Sequence, residues 1–148
     1  MSESVEQIDS TRGRWIPFAA AVVALIGLAD SVYLTVHHYT AERVPCSLFE
    51  GCETVLTSAY AEYAGVPTAA FGAFAYFVAF SLAILAAYGN RLMWTLYGVH
   101  VLIMAVVTIW LFYLQAFVIK AFCQFCLLSA LTTSILFVLF ILSKFIRR

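Results

Sequence analysis

The chain has 148 residues, of which 64% are hydrophobic and 11% charged, and its formal net charge is zero. A soluble domain of this size exposes too much surface to keep so large an apolar share from water, which excludes an ordinary soluble globule. The absence of net charge gives nucleic acid or an acidic partner nothing to recognise.

Residues 1–14 are polar, acidic and without periodicity, the composition of a disordered tail. Four long apolar runs follow, over 15–36, 67–88, 92–119 and 121–143. The first holds one charge, Asp30; the others hold none, although His100 lies within the third. A membrane-spanning helix needs roughly 20 predominantly apolar residues, so each run is long enough and the third has slack for tilt. The first run exceeds a signal-peptide core and is read as a retained span. The connections around Asn90 and after Val118 are short, which makes neighbouring helices antiparallel. The fold class expected is an all-α membrane protein, a four-transmembrane-helix bundle over 15–148, with no internal repeat and no second domain.

The cations give the orientation. Arg12 and Arg14 precede span one, Arg91 joins spans two and three, and Lys144, Arg147 and Arg148 follow span four; Arg43 and Lys120 fall on the other side. The positive-inside rule assigns the richer side, and with it both termini, to the cytoplasm of an inner (plasma) membrane protein. Trp15 and Trp94 are expected near that interface. The outer loop, 38–66, is the one sizeable extramembrane segment. Its part over 54–64 is predicted as a short helix capping the bundle, ended by Gly65 and Pro67.

All four cysteines fall on the outer side. Cys46 and Cys52 lie in the loop; Cys123 and Cys126 form a Cys-x-x-Cys where span four enters the membrane. An oxidising compartment is where disulfides persist. Structural disulfides are one reading, but a cross-link closing a three-residue ring removes little chain entropy. A four-sulfur zinc site is another, yet five residues between Cys46 and Cys52 exceed the usual spacing. Thiol–disulfide exchange fits better. Residues i and i+3 share a helix face, and a helix N-terminus lowers a thiol's pKa, supplying the thiolate that exchange requires. Two pairs then make a relay from a soluble thiol to the loop, to the helix, and on to a membrane quinone. Cys126 lies about 4.5 Å deeper than Cys123, closer to such an acceptor.

With the cysteines placed, the chain resembles bacterial members of the vitamin K epoxide reductase family over about residues 15–143. The resemblance rests on GLADSVYLTVHHY in span one, CSLFEGCETVLTSAYAEYAGVPTAAFG from loop to span two, and CQFC opening span four. It implies a bundle around a quinone, with Cys123 and Cys126 reducing it and Cys126 in contact. It further implies that Cys52 shuttles electrons to Cys123 and that Cys46 forms the mixed disulfide with a soluble partner. That partner is expected to be a thioredoxin-fold thiol oxidase acting in trans. Ser58 matches the family's loop serine, and the residues expected to contact quinone are Ser58, Thr68, Phe71, Phe122 and Cys126. Thr68 and Ala130 stand where the animal enzymes have asparagine and tyrosine, so a respiratory quinone, menaquinone or ubiquinone, is expected rather than vitamin K epoxide. No metal is expected.

The function expected is therefore a membrane thiol:quinone oxidoreductase that reoxidises its soluble partner. Recycling of vitamin K epoxide or quinone is the alternative within the same chemistry, and a non-enzymatic subunit with structural disulfides or zinc is the alternative outside it. Asp30 is costly inside a span and can serve proton transfer or only bond a neighbour. His100 is expected to pack between helices, His37 and His38 to anchor span one at the interface, and Tyr33, Trp110 and Tyr113 to pack. Gly27, Gly65 and Gly72 are expected at close helix contacts or the turn into span two.

Overall fold

A computed structural model describes residues 2–40, 45 and 51–146 of the chain. Four of its helices are long and apolar enough to cross a membrane: Arg14–Thr40, Thr68–Ala87, Arg91–Ile119 and Gln124–Ile146. They coincide with the four apolar runs, because a hydrocarbon slab imposes a length that can be read in one dimension. Large apolar side chains point outward along them; Phe74 is 71% exposed and Ile109 70%, tolerable in lipid but not in water.

Helix α1 (Ser2–Thr40) packs chiefly on α3 (Thr68–Ala87) and then on α5 (Gln124–Ile146), while α4 (Arg91–Tyr113) closes the bundle against α3 and α5. Ala20, Ala24 and Ala79, Ala83 are fully buried, a seam of small side chains that lets the α1 and α3 backbones approach. A Cβ at Gly27 would overlap the edge of the Tyr76 ring, so glycine makes room for that tyrosine. The Tyr76 hydroxyl meets the hydroxyls of Ser129, Thr132 and Thr133 at 2.7–2.9 Å and donates to the Ser129 carbonyl at 2.6 Å, binding α3 to α5. The core below it is built from Ile16, Tyr97, Val101 and Leu136. Asn90 caps α4, its side-chain oxygen accepting from the amides of Leu92 and Met93.

Three features depart from the sequence reading. Helix α1 runs back to Ser2 where a disordered tail is predicted; once span one is formed, extending it requires no new nucleus. Trp94, expected at a lipid interface, is buried within the bundle, donating from Nε1 to Ser143 Oγ at 2.9 Å and stacked on Tyr97. In the outer loop the helix predicted over 54–64 is instead α2, Cys52–Leu56. Beyond it, β1 (Glu62–Tyr63) and β2 (Val66–Pro67) pair as a small antiparallel hairpin. Ala64 and Gly65 both have positive φ, the primed turn that matches strand twist, and this ends helical structure before the span.

Candidate functional site

The described cysteines gather at the loop end of the bundle. Cys52 opens α2, and Cys123 immediately precedes α5, its carbonyl accepting the first helical bond from Leu127 at 3.0 Å. Both are almost wholly buried and share one cluster with Val55, with Cys126 packed against it. Cys52 is disulfide-bonded, whereas Cys123 and Cys126 are free thiols. Cys46 lies outside the described residues.

Glycine sets the fit between loop and helix. A Cβ at Gly51 would stand 2.7 Å from the Phe122 carbonyl oxygen and 2.9 Å from its nitrogen. No other residue lets the backbone ahead of Cys52 lie this close to the strand of chain leading into Cys123. That strand is fixed from below by a feature the sequence reading does not contain. After α4 the chain widens into a π-helical turn, Leu114–Ile119, ended by Lys120 in the left-handed region. The turn buries Gln115, whose main-chain carbonyl accepts from Ala121 and whose side-chain oxygen accepts from the Cys123 amide at 3.2 Å. Wide turns of this kind recur at functional sites because they re-aim one side chain within a helix. A lone glutamine in an apolar run was the available signal.

Cys123 sits at the N-cap position, outside the spanning part of α5. A hydrogen bond from the Cys126 thiol lowers its pKa to about 7; burial opposes this, and the amides of Cys126 and Phe125 assist. The thiolate, which is the nucleophile, is thus well populated at neutral pH.

Cys126, one turn further in, lines a cavity of about 140 Å³ between the loop and all four spans. An engineered apolar cavity of about 150 Å³ holds one benzene ring, so this chamber is the size of a ring head-group. Its walls are largely aliphatic, from Leu34, Leu111 and Ile119, with Ser58, Thr68, Asp30 and Cys126 at its edges. Gly72 keeps α3 close to α1 there; a Cβ would meet Ser31 Oγ at 3.3 Å. Both Asp30 carboxylate oxygens are buried and have no hydrogen-bond partner among the described residues. An apolar, ring-sized chamber with such a polar group at its edge fits a quinone head-group.

Of the residues expected around quinone, the cavity therefore unites Ser58, Thr68 and Cys126. Ser58 donates to the Val55 carbonyl and Thr68 to the Tyr60 carbonyl, so both hydroxyls also hold the loop in shape. Phe71 is half exposed, and the Phe122 ring packs against Phe112; neither lines the cavity. Ala130 does line it. His100 bonds the Ala75 carbonyl across α4 and α3, the packing role expected. Among the described residues no group of three or more His, Cys, Asp or Glu is placed to hold a metal.

What this end of the bundle can do is move electron pairs between sulfur atoms beside a ring-sized chamber, the work of a membrane oxidoreductase. Comparison with family models agrees: residues 18–141 match the Vitamin K epoxide reductase family, and the chain belongs to it. Membership makes it a multi-pass membrane oxidoreductase of a family whose enzymes use quinones.

Proposed function

We propose that the chain is a thiol:quinone oxidoreductase that draws electrons from a soluble thioredoxin-fold thiol oxidase and delivers them to a respiratory quinone, menaquinone or ubiquinone. The observation that carries this is the shared burial of Cys52 and Cys123 while Cys126, one turn on, opens to the cavity.

In this mechanism the partner's thiolate attacks the loop disulfide at Cys46, and resolution leaves Cys46 and Cys52 reduced and the partner oxidised. The Cys52 thiolate attacks Cys123 Sγ, breaking the Cys123–Cys126 disulfide and releasing Cys126 as thiolate. Attack by Cys46 on Cys52 then frees Cys123. The loop pair is oxidised again and the helix pair reduced, matching a disulfide-bonded Cys52 beside free Cys123 and Cys126. A bound quinone supplies the sink for two electrons and two protons. Cys126 faces that sink, Cys123 closes the disulfide as the electrons leave, and the aliphatic wall keeps water out. The positive-inside distribution supports a topology with the cysteines on the periplasmic or outer face of the plasma membrane and both termini cytoplasmic.

The test is reconstitution in liposomes with the reduced partner and, in separate arms, menaquinone, ubiquinone or vitamin K epoxide. Partner oxidation driven by either quinone is expected. Turnover of the epoxide alone would assign the chain to epoxide recycling instead.

A further inference from the structure

Asp30 plays no part in the sulfur relay, yet it is the most anomalous side chain in the bundle. It sits ten residues from the outer end of α1, is 7% exposed, and lines the same cavity as Cys126. Among the described residues, neither carboxylate oxygen has a hydrogen-bond partner. An ionised carboxylate in such a place pays its desolvation with no compensation, so the group is stable there chiefly with a proton on it. A neutral carboxyl with no protein partner is free to give its proton to whatever enters the cavity.

We propose that Asp30 is the proton carrier of this cavity, accepting the proton of the Cys126 thiol and donating it to an oxygen of the electron acceptor. This rests on the thiol:quinone reading above. In the overall step two S–H bonds break and the Cys123–Cys126 bond forms. The sulfur atoms lose two electrons and two protons, and the acceptor gains two electrons, with one proton at each of its two oxygens. Asp30 handles one proton and returns to its starting state. The second acceptor proton enters at the mouth through His38, which lines the same cavity and lies 3.7 Å from Glu62, while the Cys123 proton leaves to outer water.

The surroundings support a carrier rather than an ion pair. Among the described residues, the titratable groups facing the cavity with Asp30 are His38 on its own helix, Tyr60 in the loop and Cys126 on α5, with Cys123 and Glu62 adjoining. Helices α3 and α4 and the π-helical turn present no titratable side chain to it. His37, two turns along α1, has a buried Nδ1 with no partner among the described residues but does not line the cavity. Among the described residues, no lysine or arginine lines the cavity to hold the carboxylate ionised.

The experiment uses the full chain in nanodiscs, reduced with dithiothreitol and mixed with a short-tailed ubiquinone. In Asp30→Asn the rate of cysteine oxidation by quinone is expected to fall about 100-fold or more, the usual worth of a positioned acid–base group. Reduction of the Cys52 disulfide by dithiothreitol is expected to be unchanged, and Asp30→Glu to recover a substantial part of the rate. Independently of turnover, infrared spectra of the wild type at neutral pH are expected to show a protonated-carboxyl carbonyl band that shifts in heavy water and is missing in Asp30→Asn. Oxidation in Asp30→Asn within threefold of wild type overturns the proposal, as does absence of that band from the wild type, which decides the matter even where the variant does not fold. Failure of the wild type to oxidise its cysteines with any quinone would instead overturn the parent reading, and this proposal with it.

Discussion

The backbone amide of Cys123 donates to the side-chain oxygen of Gln115 at 3.2 Å, tying the first cysteine of span four to the wide turn that ends span three. Gln115 is buried, and its other partner, Ala121, lies two residues before Cys123. One polar side chain thus fixes where the chain enters α5, and with it the position of Cys123.

Gln115→Leu keeps the volume and removes the acceptor. The Cys123 amide is then buried without a partner, at a cost of about 1–3 kcal/mol. A lower melting temperature and slower quinone-dependent thiol oxidation are expected together, measured on one purified sample; a change in neither would remove Gln115 from the site.

Gly51→Ala tests the loop contact. Its methyl would meet the Phe122 carbonyl oxygen at 2.7 Å, backbone that cannot swing aside, so the loop must lift. Transfer from Cys52 to Cys123 is expected to fall at least tenfold, while oxidation of Cys123 and Cys126 by added quinone stays near wild type. Stopped-flow measurement of the two half-reactions separates these effects.

The helix pair predicts a pH dependence. Cys123 is lowered to about 7, first by the hydrogen bond from Cys126. A lowered thiol pKa means that thiolate persists as pH falls until that value is reached. Ultraviolet thiolate absorbance of the reduced protein is therefore expected to lose one ionisation as pH falls through about 7, and Cys126→Ala to move that midpoint upward. An unmoved midpoint would show that the helix amides alone set it.

Tyr76→Phe separates scaffold from chemistry. It deletes a hydroxyl shared with Ser129, Thr132 and Thr133, and hydrogen bonds between membrane helices are worth about 0.6 kcal/mol each on average. Destabilisation of about 1–2 kcal/mol is expected. Unfolding curves in mixed micelles report it, and the rate per folded molecule should be unaffected.

The four spans were legible in the sequence because bilayer thickness acts on each segment separately, as with the uncharged runs 67–88 and 121–143. The closeness of Cys52 to Cys123 could be anticipated in the sequence only as an expected shared side of the membrane. The contact itself depends on Gly51 against Phe122, a tertiary fit with no local pattern. Asp30 stood out as a charge in an apolar run, but its lack of a partner among the described residues is a property of the assembled cavity. Phe71 and Phe122 show the limit of composition: helix phase turns the first outward, and the second packs on Phe112. The hairpin at Ala64 and Gly65 replaced the expected helix because two successive positive-φ residues reverse the chain.

The most direct test of electron passage from loop to helix is mass-spectrometric disulfide mapping of Cys126→Ala in native membranes, quenched with an alkylating agent. Without Cys126 the exchange should stall as a Cys52–Cys123 disulfide, with Cys46 alkylated or bound to the soluble partner. A variant that holds only a Cys46–Cys52 disulfide, and still oxidises thiols at the wild-type rate when quinone is added, would contradict the relay.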